Sequence, residues 1–178
     1  METFSVRYGV VWRAIGAEMV REDEVVYIVD DDPIVREALS SLLRANGRDV
    51  RSFSSGSEFL SFERLDTVGC LILDLKMPGM NGLEVQRIVS AQISIPIIFI
   101  TGRGDIPSTV KAMQGGAVDF LTKPVDEVVL LTAVEQALQK DRIARQQAFE
   151  QADLLARYRS LTPREQELLP LLSLLSPP

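Results

Sequence analysis

The stretch LILDLKMPGMNG, Leu71 to Gly82, decides the fold. Leu71, Ile72 and Leu73 run straight into Asp74, and a loop with Pro78, Gly79, Asn81 and Gly82 follows. The apolar run reads as a buried strand that ends on a carboxylate. A lone acid in such a place is ordinarily a turn or cap residue. The meaning of Asp74 therefore depends on what the other apolar runs end on.

Four further runs resemble it. VVYIV spans Val25–Val29, DVRSF spans Asp49–Phe53, IPIIFI spans Ile95–Ile100, and VDFL spans Val118–Leu121. Helical patterns lie between them. Asp32-Pro33 predicts a helix start, with Asp32 as N-cap and Pro33 in the first turn, and Asn46-Gly47 predicts its stop. Helices are also expected over Ser57–Arg64, after Asn81-Gly82, over Thr109–Gln114 and from near Asp126. Strand and helix thus alternate five times. Most of the strands are apolar without alternation, which means both sheet faces are covered. The expected fold is α/β, a doubly wound five-stranded parallel sheet of the flavodoxin-like (βα)5 kind, with a C-terminal helical extension.

In such a sheet, functional groups gather beyond the carboxyl ends of the strands. Asp30 and Asp31 follow the first run, Asp74 the third, Thr101 the fourth and Lys123 the fifth. Each alone has an ordinary explanation, as a loop hydroxyl, a cap or a solvated charge. Together they bring carboxylates, a hydroxyl and an ammonium to one edge. Neighbouring carboxylates resist ionisation unless a cation joins them. An all-oxygen donor set selects a hard cation, with Mg2+ the best fit. The chain has no histidine, which removes the commonest metal ligand and general base. Phosphoryl transfer needs such a set: a metal, a cation and a hydroxyl around the moving group. Asp74 would be the nucleophile, forming an aspartyl phosphate.

VYIVDD, LILDLKMPGMNG, IFITG and VDFLTKP together resemble the receiver domain of bacterial response regulators. The resemblance covers about two-thirds of the chain, from Val25 to about Asp141. It implies that a sensor histidine kinase phosphorylates Asp74 with Mg2+ required. It further implies that Asp31, Asp74 and the Lys76 backbone carbonyl ligate the metal, with Asp30 acting through water. Thr101 and Lys123 would stabilise the phosphoryl group, and a cis peptide is expected at Lys123-Pro124. Phe120 matches the family's aromatic switch position, with plain core packing as the alternative. The protein would be a phosphoacceptor and not an enzyme of turnover.

Composition bounds the rest. The chain has 178 residues, 46% hydrophobic and 25% charged, enough for one full domain and an addition. Cys70 is the single cysteine, so no disulfide forms within the chain. Net charge is −6, the wrong sign for holding nucleic acid phosphates without a separate basic patch. YGVVWRAIGAEMV is interrupted by Arg13 and Glu18, and no membrane span or export signal is expected. The expected location is cytoplasmic.

Four segments are expected: an N-terminal extension over 1–22, the receiver over 23–141, a helical linker over 142–160, and 161–178. In the linker, Ala144, Ala148, Leu155 and Tyr158 form a loose seam compatible with a homodimer on phosphorylation, or simply with a charged connector. LTPREQELL, with Thr162, Pro163 and Glu165 as a capping box, is similar to the opening of a LuxR-type helix-turn-helix domain. This places the chain near the FixJ-type branch of transcriptional regulators. The sequence then runs SLLSPP, and no recognition helix is expected in it. DNA binding belongs to the family and is not expected of this chain, whose output domain reads as truncated. Two alternatives remain. One is a receiver-like module acting through protein contacts alone. The other is an Mg2+-dependent phosphatase of the haloacid-dehalogenase type, against which Lys76 stands where a second acid is needed.

Overall fold

The computed structural model describes residues 24–161 other than 65, 93 and 103–105. The expected N-terminal extension and the LTPREQELL segment lie outside the described residues. Five strands alternate with five helices: β1 Val25–Val29, α1 Pro33–Ala45, β2 Asp49–Phe53, α2 Gly56–Ser61, β3 Gly69–Asp74, α3 Gly82–Gln92, β4 Ile97–Thr101, α4 Ile106–Gln114, β5 Asp119–Thr122 and α5 Glu127–Ser160. All strand pairs are parallel, in the order β2-β1-β3-β4-β5. This is the doubly wound sheet expected from the apolar runs.

The continuous runs have their physical reason in two separate cores. Val25, Tyr27, Val29, Leu71, Leu73, Ile97 and Phe99 point to one face, where Phe59 of α2, Val85 and Val89 of α3 and Ala112 of α4 meet them. Val26, Ile28, Cys70, Ile72, Ile98 and Ile100 point to the other, against Leu39 and Leu43 of α1 and Leu130, Val134 and Leu138 of α5. Side chains alternate along a strand, so a strand covered on both faces must be apolar throughout. DVRSF breaks this pattern, because β2 is an edge strand with only Val50 and Phe53 buried, one on each face. Burial of each large aliphatic side chain contributes about 1.5–3 kcal/mol.

Two helix boundaries differ from the sequence reading. α2 ends at Ser61 instead of Arg64. Phe62 turns out of the helix, and its ring lies 5.2 Å from that of Phe53, in a cluster with Tyr27 and Phe59. Aromatic packing thus outweighs another half-turn of helix. α4 begins at Ile106, ahead of Thr109, and takes Pro107 into its first turn. A proline is tolerated there because its missing N–H would have had no helical partner.

The turn after β3 explains its composition. Gly79 has φ +79, which suits the third position of a turn with Pro78 ahead of it. Asn81 and Glu84 cap α3 reciprocally: Asn81 N–H donates to Glu84 Oε2 at 2.9 Å, and Glu84 N–H to Asn81 Oδ1 at 3.0 Å. Gly82 is forced by space. A Cβ there would press on the Asp74 carbonyl and come within 2.9 Å of Phe99 Cε1 and 3.0 Å of Leu75 Cα. Gly82→Ala should therefore lower stability by about 1–3 kcal/mol through overpacking. A shift of the urea midpoint at constant slope measures it; an unchanged midpoint would mean that α3 can move away freely.

At the amino edge of the sheet, Arg48 pairs with Glu24 and, at 2.5 Å, with Glu135 of α5. The buried Asp141 accepts the Gly69 N–H at 2.9 Å. Cys70 beside it is fully buried, and burial pushes its thiol well above the ordinary range. The chain divides after Asp141 into two compact units. In the second, the described residues are helical to Ser160, with an Asp153–Arg157 ion pair at 2.7 Å and exposed Phe149, Leu154, Leu155 and Tyr158.

Candidate functional site

β1 and β3 are neighbours in the sheet, while the chain passes outward through β2 between them. That is the switch point of a doubly wound sheet, where a crevice opens. Asp30 stands just beyond β1, and Asp74 is the last residue of β3. Asp74 is thus in the strand and not after it, paired in register with Ile100. Strand geometry, with apolar side chains behind it, fixes its position.

The structure brings Asp30, Asp31 and Asp74 together: one carboxylate oxygen from each lies within 4.8 Å of the others. Asp30 and Asp74 are buried, Asp31 is exposed. Lys123 reaches in from beyond β5. Its Nζ lies 2.5 Å from Asp30 Oδ2 and 3.1 Å from Asp74 Oδ1. The Lys123-Pro124 peptide is cis. Asp74 Oδ2 accepts the Lys76 N–H at 3.0 Å, so the loop after β3 folds back onto the carboxylate. Asp32 stays outside this group as the cap of α1, accepting the Ile34 N–H at 2.8 Å.

Thr101 ends β4 and is buried. Its carbonyl accepts the Lys123 N–H at 2.8 Å, which ties the ends of β4 and β5 together. Phe120 is half-buried, its ring 6.2 Å from that of Phe99. Its packing is real, and a change of seat would begin from this contact.

The electrostatics follow from crowding. Burial raises the Asp74 carboxyl above its usual range; Lys123 pulls it down, and Asp30 adds to the rise. Burial pulls Lys123 down, but its bonds to Asp30 and Asp74 outweigh that and leave its ammonium above the ordinary value. Three carboxylates face one ammonium here, so further positive charge is favoured. Three carboxylate oxygens without nitrogen or sulfur donors could hold a hard divalent cation.

One contact carries little sequence signal. Arg36 in α1 donates from Nη1 to the Asp30 carbonyl at 2.6 Å. A cation near the start of a helix opposes the helix dipole, and that misfit is its only trace in the sequence.

Comparisons with known proteins identify the family. The model of the response regulator receiver domain matches residues 26–135. The response regulator protein TmoT of Ectopseudomonas mendocina is 49% identical over 149 residues, covering 83% of this chain and 68% of that protein. The transcriptional regulatory protein FixJ of Rhizobium meliloti is 40% identical over 148 residues, covering 83% of this chain and 72% of its own. A solved structure of the response regulator StyR superposes with a TM-score of 0.75 at 49% identity, over 84% of this chain and 76% of that one. The chain spans about two-thirds to three-quarters of the length of these proteins.

Proposed function

The chain belongs to the response regulator receiver family, and from that premise we propose that it accepts a phosphoryl group on Asp74 from a sensor histidine kinase, with Mg2+, and switches conformation to control transcription. The observation that carries the reading is the meeting of Asp30, Asp31, Asp74 and Lys123 at the β1/β3 switch point.

Asp74 is the acceptor because it closes the central strand with one oxygen beside Lys123 and the other held by the Lys76 N–H. A carboxylate oxygen of Asp74 attacks phosphorus. The bond from phosphorus to the donor nitrogen breaks, and its electron pair leaves with the imidazole. Lys123 stabilises negative charge on the phosphoryl oxygens, and the Thr101 hydroxyl donates to another of them. Phe120 changes its packing as Thr101 moves. Asp31, Asp74 and the Lys76 carbonyl would hold Mg2+, with Asp30 acting through water. Bound there, Mg2+ neutralises the charge that a phosphoryl group adds to three carboxylates.

The protein is on this reading a cytoplasmic phosphoacceptor, and phosphorylation favours a homodimer. No helix among the described residues is long and apolar enough to cross a membrane.

Incubation with acetyl phosphate and Mg2+, followed by intact-mass measurement, tests the proposal. One added phosphoryl group is expected, and none when Mg2+ is chelated. A parent chain that takes up no phosphoryl group sinks the reading. Repeated turnover of an added phosphoester would assign the site to a phosphatase.

A further inference from the structure

Asp31 is exposed, and among the described residues its carboxylate has no hydrogen bond or ion pair. Its aim is therefore set by its backbone. The Asp30 carbonyl and the Asp31 N–H share one planar peptide. Whatever holds that carbonyl also orients the Asp31 Cα. Arg36 Nη1 holds it, at 2.6 Å.

The remaining groups of Asp30 are committed elsewhere. Its N–H donates to the Phe53 carbonyl at 3.3 Å, Oδ1 accepts the Asp32 N–H at 2.9 Å, and Oδ2 takes Lys123 Nζ at 2.5 Å. The Phe53 and Lys123 bonds fix Asp30 itself, the Asp32 bond holds the peptide after Asp31, and the Arg36 bond alone holds the peptide before it. Glu58 caps the β2–α2 corner, its Oε2 accepting the Ser54 N–H at 2.7 Å and the Ser54 hydroxyl at 2.8 Å. Those bonds hold the Glu58 carboxyl below its usual range, and the charge of Arg36 adds to the effect. A cation in the first turns of α1 is disfavoured by the helix dipole, and the bond to the Asp30 carbonyl offsets that cost.

We propose that Arg36 is a positioning residue: by clamping the Asp30 carbonyl it aims Asp31 at the metal position. The inference rests on the reading of Asp30, Asp31 and Asp74 as an Mg2+ site. Groups that orient ligands in this way typically change metal affinity by about 10–100-fold when removed.

The test compares the full chain with Arg36→Met and Arg36→Lys by Mg2+ titration calorimetry, and by exchange of the Asp32 amide, which Asp30 Oδ1 holds, without metal. Arg36→Met keeps the apolar stem and loses the donor. It should weaken Mg2+ binding roughly tenfold and speed exchange at the Asp32 amide. Arg36→Lys keeps a donor and the charge and should fall between that variant and the parent. Removing a nearby cation that did no positioning would tighten Mg2+ binding instead. Unchanged or tighter binding in Arg36→Met, or unchanged exchange, overturns the proposal. Faster exchange in Arg36→Met, with no Mg2+ binding by the parent, supports the clamp and discards the metal reading.

Discussion

Asp74→Asn is expected to abolish phosphoryl uptake from acetyl phosphate completely. An amide has no carboxylate oxygen to attack phosphorus, and no partial activity should remain. Asp30 and Asp31 lie within reach of the same cleft, so an adduct that persists in the variant would move the acceptor role to one of them. Loss through misfolding is distinguished by stability. Burial and Asp30 hold the Asp74 carboxyl above its usual range, despite the pull of Lys123. The native chain then binds this proton more tightly than the unfolded chain. The resulting stability is complete below the unfolded value, near 3.9, and is lost as pH rises through the higher native value. At neutral pH the ionised Asp74 is thus a net cost to the metal-free protein. Asp74→Asn should raise Tm there. The gain should shrink towards pH 4. A lower Tm at neutral pH would show that the Lys123 bond matters more than burial.

Lys123→Met should lower stability and phosphorylation rate while tightening Mg2+ binding. Asp30 and Asp74 are buried and both depend on Lys123 Nζ. Removing one partner of a buried ion pair costs about 3–5 kcal/mol, less where the stranded acids can take up a proton. The metal-free variant should therefore lose stability, most at high pH. Phosphorylation at saturating Mg2+ should slow about 10²–10³-fold, the usual loss when one charge-stabilising donor is removed. Mg2+ binding should tighten nevertheless, because the competing cation is gone. Slow phosphorylation combined with weaker Mg2+ binding would mean that Lys123 organises the carboxylates and does not merely balance them.

The sheet was legible because β1, β3 and β4 each face two cores and are apolar throughout. Asp30, Asp74, Thr101 and Lys123 were legible for the same reason, since each marks the point where an apolar run stops. Helix ends were less so. The end of α2 is set by Phe62 turning towards Phe53, a choice made by packing between elements. Arg36 was hidden because it acts through a main-chain carbonyl, which has no sequence pattern. The amino-edge network was hidden by distance along the chain: Arg48 meets Glu135 and Gly69 meets Asp141, contacts 87 and 72 residues apart.

Cys70 gives the fold a reporter at its centre. It is the single cysteine of the chain, sits in the middle strand, and is fully buried among residues of α1 and α5. A thiol reagent can reach it only when the sheet opens between those helices, so the labelling rate measures how often the receiver comes apart. The five acidic, basic and hydroxyl groups at the carboxyl edge remain untouched by the reagent. Cohesion of the fold and occupancy of the cleft can therefore be followed on the same molecules, and the tightening that a metal or a phosphoryl group brings can be read as a slower clock.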